Sequence, residues 1–216
     1  MPRIFIYLLL APLLRSGFSQ EDKLSTPEAP ALPRHVDTPD DIAPRDWVIL
    51  AEAKGDLNQD QKSDAVVILT HSDSSPENPQ YQRILVVLLA TDKGFELNTV
   101  SQTAVRSHHT GGILGDPFQE LKIERGTFVI THYAGSRDRW GFSHRYRFQN
   151  DGWFLIGRTT LTEDTLSAES FKKDENLITG RVIEISTDEN GVRAEKETKV
   201  VPGPLIPLSK INAEED

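Results

Sequence analysis

Gly55-Asp56-Leu57-Asn58-Gln59-Asp60-Gln61-Lys62-Ser63-Asp64-Ala65-Val66-Val67-Ile68-Leu69 joins an oxygen-rich loop directly to an apolar strand, and the rest of the chain reads outward from it. Residues 65–69 are apolar throughout and rich in β-branched side chains, the pattern of a strand covered on both faces. In the loop, Asp56, Asn58, Asp60 and Asp64 stand at positions 1, 3, 5 and 9, with the carbonyl of Lys62 at position 7. Side-chain oxygens at alternating loop positions converge on one hard cation, so the stretch reads as a calcium loop with Asp56, Asn58, Asp60, Lys62 and Asp64 as ligands. The competing reading is a solvated acidic turn that uses Asp and Asn for local hydrogen bonds alone. Position 12 is Val67 rather than the bidentate glutamate of an EF-hand, which excludes that motif.

The flanking chain alternates with the period of strands. Trp47, Ile49 and Ala51 alternate with Val48, Leu50 and Glu52, and Ile84 to Ala90 forms a second almost continuously apolar run. Thr91-Asp92-Lys93-Gly94, Glu124-Arg125-Gly126, Asn150-Asp151-Gly152 and Asp188-Glu189-Asn190-Gly191 are turn sequences between alternating segments, which predicts hairpins. Phe128, Ile130 and His132 share one face of a strand, and Phe142, His144, Tyr146 and Phe148 share one face of another. A short helix is expected near residues 165–173, and a charged edge hairpin near the end of the chain. The fold class is therefore all-β, mainly antiparallel and hairpin-rich, with at most one short helix. A single loop cannot make the regular repeats of a full β-propeller.

Residues 1–19 follow signal-peptide grammar: Arg3, then the apolar run Ile4 to Leu14, then Gly17-Phe18-Ser19 before Gln20. The run is well short of the ~20 residues of a spanning helix, so no membrane span is expected. Residues 20–45 carry Pro27, Pro30, Pro33, Pro39 and Pro44 with few apolar side chains, which predicts a disordered linker ahead of a single domain at 46–216 with its loop at 55–64. The chain has no cysteine, which removes disulfides, thiolate sites and attachment of lipid at a lipobox Cys. Cleavage after residue 19 moves the formal charge from −9 to −11, since 22 basic residues then face 33 acidic ones. Such a protein is a poor partner for nucleic acid and suits a secreted or periplasmic setting, where millimolar calcium fills weak sites.

Two further groups of residues carry chemistry. His108, His109, Asp116 and His132 lie on loops and a strand end that an extracytoplasmic metal-dependent hydrolase would bring together, although adjacent histidines on a strand face opposite ways and no fixed ligand spacing is present. Arg137, Arg139, Arg145 and Arg147 beside Trp140 and Tyr146 offer planar donors and an aromatic platform for an anionic or sugar-like ligand; the alternative is a solvated face whose arginines pair with acids. His109, Asp116, His132, Arg137, Arg139 and Trp140 are accordingly the candidate ligand-binding residues.

The loop and its strand resemble the FG-GAP and VCBS repeats, in which Asp-x-Asn-x-Asp-Gly-x-x-Asp followed by apolar residues binds calcium. Asp56, Asn58, Asp60 and Asp64 match, and Gln61 replaces the usual glycine. Gly115-Asp116-Pro117-Phe118, His132-Tyr133-Ala134-Gly135-Ser136 and Trp153-Phe154-Leu155-Ile156-Gly157 are similar to segments of bacterial secreted or periplasmic proteins of uncharacterised function that carry one such loop. The resemblance implies location and fold rather than activity. The expected function is a calcium-stabilised binding module for a protein or envelope ligand, an inhibitor or scaffold, with the hydrolase as the alternative.

Overall fold

The computed structural model describes residues 30–75 and 81–215, and the expectations for residues 1–29 lie outside them. The chain forms β1 (His35–Val36), β2 (Trp47–Gly55), β3 (Asp64–His71), β4 (Ile84–Thr91), β5 (Gly94–Ser101), β6 (Phe118–Glu124), β7 (Thr127–Gly135), β8 (Asp138–Gln149), β9 (Gly152–Asp164), β10 (Ser170–Asn176), β11 (Arg181–Thr187), β12 (Arg193–Lys199) and β13 (Ile206–Pro207). One sheet has the order β1-β5-β4-β3-β2 and the other β12-β11-β10-β9-β8-β7-β6, with β13 added alongside β9. All pairings are antiparallel, and the fold is all-β without propeller blades.

Strand alternation assigns each side chain its layer. Val66 and Ile68 of β3 and Leu85 and Val87 of β4 meet Phe128, Ile130, Tyr146, Trp153 and Leu155 of the second sheet in the main core. Their neighbours Ala65, Val67, Leu69, Ile84, Val86 and Leu88 point the other way, into a second apolar cluster. Residues 30–45 cover that outer face, contrary to the expected disordered linker: Ile42 is 0 % exposed, Val36 is buried, and Val36 pairs with Phe95. Strands apolar on both faces need two covers, and burying a side chain such as Ile42 gives about 1.5–3 kcal/mol. Pairing of β1 with β5 and a hydrogen bond from the Leu97 N–H to the Arg34 carbonyl, 2.8 Å, fix the segment despite its low apolar content.

The region expected to be a helix is instead a turn and a strand. Asp164 Oδ1 accepts the N–H groups of Leu166 and Ser167 at 2.8 and 3.3 Å, and Ala168 adopts a φ of 61°. A side chain that binds the backbone just ahead of it competes with helix hydrogen bonds, so the chain reverses and Ser170–Asn176 pairs with β9 and β11. The hairpin turns occur where the sequence places them. Asn150 and Asp151 take φ values of 49° and 58°, the left-handed pair that a two-residue hairpin demands.

The sheets also approach at one side. A Cβ built on Gly55 lies 2.6 Å from Ile123 Cγ2 of β6, closer than atoms tolerate, so the glycine that opens the oxygen-rich loop is where β2 and β6 meet. The last residues close the opposite end: Leu208 and Ile211 enter the main core, and Thr103 Oγ1 donates to the Ile211 carbonyl at 2.5 Å.

Candidate functional site

The oxygen-rich loop is folded around its own carboxylates. Asp56 accepts the Gln59 N–H on one oxygen at 2.7 Å and the Gln61 N–H on the other at 3.0 Å. Asn58 Oδ1 accepts the Asp60 N–H at 3.0 Å, and Asp60 Oδ1 accepts the Lys62 N–H at 2.8 Å. Asp64 is 0 % exposed and joins three segments, accepting the N–H of Leu57 at 2.9 Å and of Ala90 on β4 at 2.8 Å. Burial raises its pKa, opposed by those two N–H groups and assisted by the charges of Asp60 and Asp56. Gln61 takes a φ of 68° where the resemblance has glycine, and Gln59 a φ of 66°, conformations that cost a side-chain-bearing residue about 1–2 kcal/mol each.

Among the described residues no three His, Asp or Glu side chains form a metal-holding group. The loop does fit a hard cation in its chemistry. Each carboxylate oxygen has two lone pairs, and the hydrogen bonds given above engage one on each oxygen of Asp56. Lys62 turns its side chain away, with Nζ 2.6 Å from Asp92 Oδ1, which leaves only its carbonyl for a ligand role.

The histidines and Asp116 do not assemble one open site. His132 is 1 % exposed between Phe142, 4.6 Å between centroids, and Phe118, 6.2 Å. Its Nε2 accepts the Arg106 N–H at 3.2 Å, which puts the proton on Nδ1, a buried atom without a hydrogen-bond partner. Burial, with the positive charges of His144, Arg83 and Arg106, lowers the His132 pKa to about 3, against the opposing charge of Asp116. Asp116 gives both oxygens to Arg83, His108 Nδ1 bonds Ser74 Oγ at 3.0 Å, and His109 is exposed. Alternation with Phe128 and Ile130 already placed His132 on the core face of β7.

The arginines are committed to other groups as well. Arg137 forks onto Asp164, with its Nη2 2.7 Å from Oδ2, and holds that carboxyl near a pKa of about 2 together with the two turn N–H groups. Arg139 Nη1 donates to the Tyr133 hydroxyl, 3.3 Å, which donates to Glu163 at 2.7 Å. Arg145 pairs with Glu124, Arg147 bonds Gln149, and Tyr146 lies in the core rather than beside an open platform. An anion-binding arginine face is therefore not formed.

Trp140 is placed differently. It floors an open groove of about 710 Å³ at one end of the second sheet, where the inner face of β8 to β12 extends beyond the first sheet. The pairings Trp140↔Thr162, Thr162↔Phe171, Phe171↔Ser186 and Ser186↔Ala194 align five side chains across five strands. Nearer the turns stand Asp138, Asp164, Glu169, Asp188 and Val192, so an acidic row borders the apolar one. Phe171 is 41 % exposed and Val192 63 %. Behind Trp140 the Arg106 guanidinium packs 4.4 Å from the ring centroid, fixed by a hydrogen bond to the Glu214 carbonyl. Sequence reasoning missed Phe171 and Glu169 because it read residues 165–173 as a helix, where the alternation of Phe171, Lys173 and Glu175 was the available signal; Val192 was read only as part of an edge hairpin.

Comparison with protein-family models, with curated proteins and with solved structures returns no match.

Proposed function

We propose that this chain is a secreted or periplasmic binding module, stabilised by calcium at Asp56, Asn58, Asp60, the Lys62 carbonyl and Asp64, which takes its ligand in the groove over Trp140 and Phe171. The observation that carries the reading is the groove: a sheet face bearing Trp140 and Phe171 that the first sheet leaves uncovered, on a domain whose candidate arginines are paired and whose His132 is buried. Ligand sites are concave and mainly apolar with a few polar groups at fixed positions, and this face has that composition. Calcium is supported by the alternation of oxygen side chains in a loop that already turns them inward, and export by the apolar run behind Arg3.

A photo-cross-linking residue placed at Phe171, and separately at Lys172 on the opposite face of β10, tests the groove reading in extracytoplasmic extract. The Phe171 position is expected to trap a partner that the Lys172 position does not. Equal trapping at both, or none at either, overturns the reading.

A further inference from the structure

Resting on the groove reading, we infer that the ligand is a cationic peptide segment, with basic side chains against the acidic row and apolar ones against Trp140 and Phe171. Asp138, Asp164, Glu169 and Asp188 bring four carboxylates to the groove's side of the sheet, whereas Arg139 and Glu163, one place along each strand, point to the other face and meet the Tyr133 hydroxyl there. Arg137 offsets Asp164, and the lining remains acidic after that pair is removed. Like charge opposes an anionic ligand, an anionic lipid surface and a second copy of a chain whose formal charge is −9. A cation gains on both rows, from the carboxylates and from the Trp140 ring that lines the groove, since an aromatic ring attracts a cation held near it.

The dimensions point to a peptide rather than a small ion. Five strands at ~4.8 Å spacing span about 19 Å, the length of about six extended residues. A segment crossing the strands between the two rows directs successive side chains to opposite sides, one toward Asp138, Glu169 and Asp188 and the next toward Trp140 and Phe171. An alternation of basic and apolar residues fits that arrangement, and Val192 and Ala194 complete the apolar side at its far end.

Calorimetric titration of the full chain with a capped octapeptide of alternating Arg and Leu, and with its Glu and Leu counterpart, tests the assignment. The basic peptide is expected to bind and the acidic one not. The double substitution Asp138→Asn with Glu169→Gln is expected to weaken binding about tenfold, with Phe171→Ser a comparable loss, while Asp174→Asn on the outer face leaves it unchanged. Raising the salt concentration weakens the contact as the charges are screened. Equal affinity for the acidic peptide, no binding of either, or indifference to the groove substitutions overturns the proposal. If Phe171 cross-links a neutral or acidic partner, the cationic assignment falls and the binding-module reading stands; if nothing is trapped, both fall.

Discussion

Arg83 and Asp116 hold each other at the end of β4: Arg83 Nη1 donates to Asp116 Oδ1 at 2.9 Å, and Nη2 donates to the second oxygen. The Arg83 side chain is 3 % exposed and that of Asp116 43 %, so a buried cation is compensated from a surface loop. The same guanidinium donates to the Arg106 carbonyl at 3.0 Å, which anchors the segment carrying the histidines. Asp116→Ala leaves the charge buried without its partner, and a loss of about 3 kcal/mol in unfolding free energy is expected from urea denaturation at neutral pH. An unchanged midpoint would show that solvent reaches Arg83 and that Asp116 is not needed to hold it.

The oxygen-rich loop should respond to calcium. Stability is expected to rise by roughly 0.4–1.4 kcal/mol at about 1 mM free calcium for a site with Kd of ~0.1–1 mM. Asp60→Ala should abolish the response. The control is Asp37→Ala rather than a change at Asp92, because Asp92 pairs with Lys62 of the loop itself. Identical melting temperatures in calcium and in chelator would leave the loop as an acidic turn held by its own backbone hydrogen bonds.

His132 makes the fold sensitive to acid. Its folded pKa of about 3 lies below the ordinary 6.5, so between those values the unfolded chain binds a proton that the folded chain refuses. Stability contributed this way is present above the unfolded value and declines as pH falls, by about 1.4 kcal/mol per pH unit within the window. Asp64 acts in the opposite sense, because its raised pKa favours folding as its carboxyl is protonated. The comparison that isolates the histidine is His132→Phe, which keeps a ring between Phe118 and Phe142 and loses the acceptor for the Arg106 N–H. Between pH 6 and pH 5 the unmodified protein should lose about 1.2 kcal/mol more than the variant in parallel urea titrations. Parallel pH profiles would show that His132 titrates normally.

The sequence alone determined the all-β class, the main hairpins and the shared face of Phe128, Ile130 and His132, although it took His132 for a ligand-binding residue rather than a core one. Those properties follow from a two-residue alternation and from turn chemistry, both set within a few residues of backbone. Tertiary structure decided the rest. Arg83 meets Asp116 across 33 residues, Arg137 meets Asp164 across 27, Trp153 donates to Asn98 across 55, and Thr103 reaches the Ile211 carbonyl across 108. No local pattern names such partners, so the arginines beside Trp140 read as an open cationic face when they are in fact paired. The cover of the first sheet by residues 30–45 was equally invisible, since a proline-rich segment with few apolar residues orders only where an uncovered apolar face and an open strand edge receive it. The groove exists for the converse reason: the second sheet is wider than the first, and among the described residues the end of its inner face that carries Phe171, Ser186 and Ala194 is left open, while Val182 farther along β11 is buried.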